Sequence, residues 1–263
     1  MLQPISQILI GLLFVAGVMS VLWLVQLKTK NAGIVDVAWA GAIGVLGVFF
    51  AATAAGDVNR RLLAGSLIGL WSLRLTVYLF RRVVGHSEEG RYATLRDRWG
   101  RDADRRFFRF FQMQALAALT FAMPILVVAW NPAPLHPATA AASLTIWAFG
   151  LGGLWLADRQ LKRFKSNPEN AGRTCRNGLW RYSRHPNYFF EWVHWWAYLP
   201  LAAFAPYWVF ALAVPLLLLY FVLFVTGIPP TEAQALASRG QDYRRYQRTT
   251  SAFVPWIPRK DGT

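Results

Sequence analysis

The chain has 263 residues and a formal net charge of +15, and 55% of its residues are hydrophobic. It contains 13 Trp and 18 Phe, and long stretches carry no Asp, Glu, Lys or Arg. This composition excludes an ordinary soluble domain and favours an integral membrane protein. The positive charge does not indicate nucleic-acid binding, because it collects in the polar segments between apolar runs. A single cysteine, Cys175, excludes an intramolecular disulfide and a thiolate metal cluster.

Seven apolar segments are predicted to cross a membrane. Each is long enough, or nearly so, to span a hydrocarbon core of about 30 Å. Four contain no charged residue, namely residues 2–27, 110–130, 138–157 and 206–226. Three contain few ionisable residues, namely 31–55, 62–80 and 188–204. The first segment lacks the basic start and the small-residue cleavage site of a signal peptide, so we interpret it as a span.

The distribution of Lys and Arg predicts an orientation. Four polar segments rich in these residues fall on one side of a seven-span topology, whereas the opposite connections contain only Arg60 and Arg61. The positive-inside rule places the basic segments in the cytoplasm. We therefore predict an all-helical membrane protein of one domain, with Met1 outside and Thr263 in the cytoplasm.

Ionisable residues inside predicted spans are the first candidates for function, because they are costly in lipid and usually face a cavity or a partner. They are Asp36, Arg74, Glu191 and His194. Asp36 is a candidate catalytic group, and the alternative is a structural ion pair with Arg74. Arg74, Tyr78 and Arg82 recur at a spacing of four, which gives a polar stripe along one helix.

Residues 181–192, RYSRHPNYFFEW, place hydrogen-bonding groups at the start of an apolar helix, where Asn187 and Glu191 share one face. Glu191 and His194 have the E-x-x-H spacing of di-iron helix bundles, but no second copy exists, so no metal site is predicted. GLGG at 150–153 lies in a span with no strand before it. It is therefore expected to let helices approach closely rather than to bind a dinucleotide.

Polar groups gather in the segments predicted to be cytoplasmic after the fifth span. They are Asp158, Lys162, Lys165, Arg173, Arg176, Arg184, Glu232, Arg239, Tyr243, Arg244 and Tyr246. Arg offers a bidentate fork to phosphate, so several cations at one cytoplasmic opening suit a diphosphate and an additional ribose phosphate. The alternative to a phosphate site is that these charged residues only orient the protein in the membrane.

RYSRHPNYFFEW, preceded by GRTCRNGLW and followed by TGIPPTEAQAL and DYRRYQRTTSAFVPWIP, resembles the steroid 5α-reductase family, most closely its bacterial seven-span branch. The resemblance covers residues 147–258 and extends more weakly to the first three spans. It implies that residues 138–263 bind NADPH and that helices within residues 1–130 form a cavity for a hydrophobic substrate. It also implies a bacterial inner-membrane location.

The resemblance implies roles for individual residues. The cofactor-binding set is Arg74, Tyr78, Asp158, Lys162, Lys165, Arg173, Tyr182, Arg184, His185, Asn187, Glu191, Glu232, Arg239 and Tyr243. The substrate-binding set is Asp36, Trp39 and Trp71, and the catalytic set is Asp36 and Tyr78. Asp36 lies near the carbonyl-binding Glu of the family but is one methylene shorter, and Trp71 stands where the family has a carbonyl-binding Tyr.

The leading hypothesis is NADPH-dependent reduction of the enone in a 3-oxo-Δ4 steroid or a similar lipid. Hydride would pass to the β-carbon while a protonated Asp36, assisted by Tyr78, donates a hydrogen bond to the carbonyl; an acid in an apolar span can keep its proton at neutral pH. The alternative is an S-adenosylmethionine-dependent membrane methyltransferase of the isoprenylcysteine or phospholipid type, which shares the R-H-P-x-Y element. A non-catalytic membrane scaffold is the third class. We expect a monomer in contact with membrane lipids and no nucleic-acid partner.

Overall fold

The computed structural model describes residues 2–88 and 90–259. These residues form helices joined by turns and loops, with 79% helix and no strand in the described part of the chain. The predicted all-helical fold is confirmed. Met1 and Thr263, on which the predicted orientation of the termini depends, lie outside the described residues.

The helices follow the apolar runs of the sequence. Their ranges are α1 Pro4–Thr29, α2 Ile34–Thr53, α3 Val58–Val83, α4 Gly90–Trp99, α5 Ala103–Ala129, α6 Pro137–Lys165, α7 Pro186–Trp195, α8 Tyr198–Ala202, α9 Val209–Tyr220 and α10 Ile228–Thr249. Short 3₁₀ turns occupy Gly100–Asp102, Pro168–Asn170 and Gly178–Arg181, and a π-helical turn, Phe221–Val225, follows α9.

Six helical stretches among the described residues are long and apolar enough to cross a membrane. They are α1, α2, α3, α6 and two longer stretches, Gly90–Ala129 and Val209–Thr249. The apolar part of the last stretch ends at Val225, and α10 beyond it is polar and charged. These lengths and compositions are those of an integral membrane protein.

The predicted span at residues 188–204 is not one continuous helix. It is divided between α7, of ten residues, and α8, of five, by a turn at Trp196 and Ala197. At 1.5 Å per residue α7 is about 15 Å long, which is half the thickness of a hydrocarbon core. The seven-span topology is therefore not confirmed and stays a prediction.

The chain divides into two compact units. Unit 1 comprises Met1–Pro137 and Leu201–Ala211, and unit 2 comprises Ala138–Pro200 and Leu212–Thr263. The functional grouping predicted for residues 1–130 and 138–263 stays a prediction.

In unit 1, small residues let α2 and α3 approach closely. A side-chain carbon added at Gly44 would collide with Ser72, and one added at Gly47 would lie 2.6 Å from Ile68 Cγ2. The Ser72 hydroxyl donates a 2.7 Å hydrogen bond to the Ala40 carbonyl. Small residues at helix contacts are typical of membrane helices, since close packing replaces the hydrophobic effect there.

In unit 2, two glycines of the GLGG motif let α6 approach α7. A side-chain carbon at Gly150 would lie 2.7 Å from the His194 backbone nitrogen, and one at Gly153 would collide with the Phe190 ring. Gly152 faces open space. The predicted close approach of helices at this motif is therefore confirmed for Gly150 and Gly153.

The segment after α10 lies along the residues that precede α7. Ser183 donates from its hydroxyl to the Phe253 carbonyl over 2.7 Å, and the Trp256 amide donates to the Tyr182 carbonyl over 2.9 Å. The Arg184 amide donates to the Ser251 carbonyl over 2.8 Å. These bonds hold residues 250–259 in a defined position within unit 2.

Candidate functional site

A cavity of about 630 Å³ opens in unit 2. The walls are formed by the end of α6, residues 167–175, Trp180, residues 184–188 and α10 from Thr231 to Tyr246. These segments carry many polar residues and lie next to apolar helices in the chain. The cavity is therefore built from the part of the chain in which the sequence predicts a phosphate site.

The lining of the cavity is strongly cationic. Its charged side chains are Lys165, Arg173, Arg184 and Arg239, and no Asp or Glu is present among the described lining residues. Lys165 and Arg173 are exposed and form no ion pair with a described residue. Cations without compensating carboxylates attract anions, and Arg binds phosphate oxygens in a bidentate manner.

Arg184 is held in the cavity wall by Glu232. Its Nε donates a 2.6 Å hydrogen bond to Glu232 Oε1, and its Nη1 donates to the Thr250 carbonyl over 2.6 Å. His185 Nε2 lies 3.2 Å from the same Glu232 oxygen, and Gln247 Nε2 donates to Oε2 over 2.6 Å. Both charged side chains are nearly buried, with 12% and 13% of their surface exposed. The pair thus joins the residues before α7 to α10.

The contacts of Glu232 keep it charged. Burial alone would raise the pKa of its carboxyl, but hydrogen bonds from His185, Arg184 and Gln247 outweigh burial and lower the pKa to about 2. Glu232 is therefore an anion at neutral pH, and its charge balances that of Arg184. The positive charge offered to a ligand comes from the other three cations of the lining.

The loop that carries Arg173 is tied to α10. Asp242 Oδ2 accepts a 2.7 Å hydrogen bond from the Thr174 amide, and Arg176 Nη2 donates to Asp242 Oδ1 over 2.8 Å. Burial alone would raise the pKa of the Asp242 carboxyl, but its bonds with Thr174 and the charge of Arg176 lower it overall. This charged anchor fixes the backbone next to Arg173.

Aromatic and amide groups complete the lining. The rings of His185 and Tyr188 stack with an interplanar angle of 6° and a centroid separation of 5.3 Å. Tyr188 Oη lies 3.1 Å from the Thr231 hydroxyl, which orients the ring, and Asn187 lines the cavity beside it. Flat rings next to cations suit a ligand that combines an aromatic base with phosphates.

Seven residues of the predicted cofactor-binding set line the cavity, namely Lys165, Arg173, Arg184, His185, Asn187, Arg239 and Tyr243. Glu232 supports the wall through Arg184. Lys162, one turn before Lys165, is exposed and is not part of the lining, and the same is true of Tyr182. Asp158 and Glu191, also in unit 2, are half-buried outside the lining. Arg74 and Tyr78 belong to unit 1.

A model of the family described as "Protein of unknown function (DUF1295)" matches residues 22–250, which is most of the chain. The chain belongs to the DUF1295 family. This family is related to steroid 5α-reductase-like and methyltransferase-like membrane proteins, without favouring either group. Comparisons with curated proteins and with solved structures found no match.

In this DUF1295 protein, Asp36 lies in the first turn of α2, at the end of the helix rather than deep inside a span. Arg91 Nη2 lies 3.1 Å from both carboxylate oxygens, and the Tyr92 hydroxyl donates to Oδ1 over 2.8 Å. The ion pair of Asp36 is thus with Arg91 and not with Arg74, the partner considered from the sequence. Donors from within unit 1 therefore engage both carboxylate oxygens of Asp36.

The other substrate and catalytic candidates of this DUF1295 protein lie on α2 and α3 of unit 1. Trp71 is fully buried in the core, whereas Tyr78 is half exposed. Trp39 packs edge-to-face on Phe121 with ring centroids 5.4 Å apart. The indole nitrogen of Trp39 is buried and has no hydrogen-bond partner among the described residues. Arg74 is half-buried on α3.

Sequence reasoning missed four residues that shape these sites. Arg91 and Tyr92 hold Asp36, and Thr174 and Asp242 anchor the loop that carries Arg173. All four lie in polar segments, where no local pattern separates a residue with a partner from one that faces water.

Proposed function

We propose that this protein is an NADPH-dependent reductase of the enone in a hydrophobic molecule such as a steroid or a similar lipid, with the nucleotide bound in the cavity of unit 2. The observation that carries this proposal is the cationic lining without an acid. NADPH has a diphosphate and a ribose phosphate, and so carries several negative charges. A cavity of about 630 Å³ is within the usual size range of small-molecule sites.

The same lining favours NADPH over S-adenosylmethionine, the cofactor of the alternative function. S-adenosylmethionine carries a sulfonium cation, an ammonium group and a single carboxylate, so its net charge is positive. Neither cation gains from a cavity whose charged side chains are Lys and Arg, since like charges repel at short range. The relationship of the family to membrane methyltransferases keeps this alternative as an outcome of the experiment below.

Three cations of the lining are assigned to the phosphates of the nucleotide, namely Lys165, Arg173 and Arg239. Their spread along the cavity wall suits phosphates at more than one place. The stacked rings of His185 and Tyr188 offer an aromatic face to a ring of the nucleotide. When bound, NADPH supplies the hydride, and the protein orients the reacting groups.

The group that polarises the substrate carbonyl is reassigned from Asp36. The ion pair with Arg91 gives Asp36 a positioning role, because it fastens α4 to the start of α2. Trp39 is the better donor, since its buried indole N–H has no partner among the described residues. A buried N–H donor without a partner destabilises the protein by about 1–3 kcal/mol until a ligand accepts its hydrogen bond. Tyr78 keeps the assisting role that the resemblance implies for it.

The proposal includes the seven-span orientation, with the basic segments and the nucleotide cavity in the cytoplasm of a bacterial cell. NADPH is a cytoplasmic metabolite, and the positive-inside rule places the Arg-rich loops on the same side. The substrate would enter from the lipid phase, because it is hydrophobic.

The experiment is a titration of the full chain, purified in a neutral detergent, with NADPH, NADH and S-adenosylmethionine. We expect NADPH to bind most tightly and to be oxidised when a 3-oxo-Δ4 steroid is added. Tighter binding of S-adenosylmethionine than of NADPH would overturn the proposal in favour of the methyltransferase. Absorbance at the reduced nicotinamide band separates the two ligands directly.

A further inference from the structure

A second basic site, the Arg cleft, lies on the surface of unit 2. Its lining consists of Arg176, Arg181, Arg245, Arg259, Thr249, Thr250 and Pro258. It encloses about 380 Å³ and shares no lining residue with the nucleotide cavity. No Asp or Glu is present among its described lining residues.

Backbone hydrogen bonds fix the two sides of the Arg cleft. The Arg259 amide donates to the Thr249 carbonyl over 2.8 Å, and three residues earlier the Trp256 amide is bonded to the Tyr182 carbonyl. Arg181 and Arg259 are exposed and form no ion pair with a described residue. Guanidinium groups held on both sides of a cleft suit a phosphate group, which accepts bidentate hydrogen bonds.

Large apolar side chains stand next to this charge. Trp256 and Ile257 are 72% and 78% exposed, although they belong to the same fixed segment as Arg259. Exposed Trp beside Arg is typical of the membrane–water interface, where the indole lies at headgroup level. Basic side chains at that level attract anionic lipids, and each is worth about a fivefold gain in affinity.

We propose that the Arg cleft binds the phosphate of an anionic membrane phospholipid, and that Trp256 and Ile257 enter the interface beside that lipid. The lipid would fasten the segment after α10 to the bilayer. Because this segment also contacts residues 182–184, the bound lipid would support the wall of the neighbouring nucleotide cavity. The inference stands whether or not the nucleotide is NADPH.

The test compares lipid binding by full-length variants in neutral detergent, measured by native mass spectrometry. The double variant R181Q/R259Q should bind phosphatidylglycerol roughly 30-fold more weakly than the wild type, and phosphatidylcholine equally well. The matched control is R98Q/R101Q, which removes two exposed Arg side chains of unit 1 and should change phosphatidylglycerol binding less than threefold. W256A/I257A, which keeps all the charges, should also weaken phosphatidylglycerol binding.

Three results would overturn the proposal. An equal loss of phosphatidylglycerol affinity in R98Q/R101Q would show that the lipid is attracted by surface charge in general and not by the Arg cleft. Displacement of phosphatidylglycerol from the wild type by inorganic phosphate would show a site for free phosphate, and this arm needs no variant to fold. A loss of NADPH affinity in R181Q/R259Q, with lipid binding unchanged, would assign the Arg cleft to the nucleotide site.

Discussion

Arg184 and Glu232 lie 48 positions apart in the chain and form a nearly buried ion pair, with 2.6 Å between Nε and Oε1. The pair connects the residues before α7 to α10, and both segments line the nucleotide cavity. Because Glu232 neutralises Arg184, the arginine shapes the wall, while Lys165, Arg173 and Arg239 supply the charge for a ligand.

Replacing Glu232 with Gln should destabilise unit 2. The change leaves the guanidinium of Arg184, which is 12% exposed, without its counter-ion. The expected loss is about 3 kcal/mol, seen as a lower unfolding midpoint in detergent. The double replacement of Glu232 and Arg184 by Gln should recover part of this loss, because no unpaired charge remains. A Glu232→Gln protein with the midpoint of the wild type would show that the pair adds no stability.

The stability contributed by Glu232 should depend on pH in one direction. Its pKa is about 2 in the folded protein, against an ordinary value of 4.5. Since the folded pKa is lowered, the contribution is fully present above about pH 4.5 and is lost as the pH falls towards 2. The unfolding midpoint of the wild type should therefore fall more steeply than that of Glu232→Gln as the pH is lowered through this window. Parallel curves would contradict the assigned pKa.

Replacing Asp36 with Asn should leave most of the reductase turnover intact. Asp36 and Arg91 form a partly exposed pair, so a double-mutant cycle should give a coupling of about 0.5–1 kcal/mol in stability. Trp39→Phe, which removes only the indole N–H donor, should slow turnover by about tenfold or more, with NADPH affinity unchanged. A loss of two to three powers of ten in Asp36→Asn would restore Asp36 as the carbonyl donor.

Reporters fused before Met1 and after Thr263 should report opposite compartments. Seven spans place the termini on different sides, whereas the six long apolar helices alone would place them on the same side. The difference depends on whether α7 and α8 together cross the membrane. A cytoplasmic signal from both reporters would show that α7 and α8 together do not cross the membrane.

The long apolar helices could be predicted from the sequence because about 20 residues without charge have few alternatives to a membrane helix. Thus the uncharged segments 2–27 and 138–157 correspond to α1 and to the first part of α6. The break between α7 and α8 could not be predicted. Apolar aromatic residues continue through Trp195, Trp196 and Tyr198, so neither composition nor hydropathy changes at the turn.

The candidate site could be predicted in part. Arg184 and Asn187 belong to the RYSRHPNYFFEW motif, Arg173 belongs to GRTCRNGLW, and Arg239 lies between the two motifs that follow, so the family resemblance marked all four. The distinction between Lys162 and Lys165 could not be made, because both lie on one helical face and only the position of residues 167–175 decides which lines the cavity. The pairing of Asp36 with Arg91 joins residues 55 positions apart, which no local pattern indicates.

Lys165 and Lys162 provide a matched test of NADPH binding in the cavity of unit 2. Both side chains are exposed and lie one turn apart on α6, but only Lys165 lines the cavity. Titration of NADPH into Lys165→Gln should show about a tenfold weaker affinity, or 1.4 kcal/mol, and Lys162→Gln should stay close to the wild type. Equal losses in the two variants, or no loss in Lys165→Gln, would contradict the location of the nucleotide.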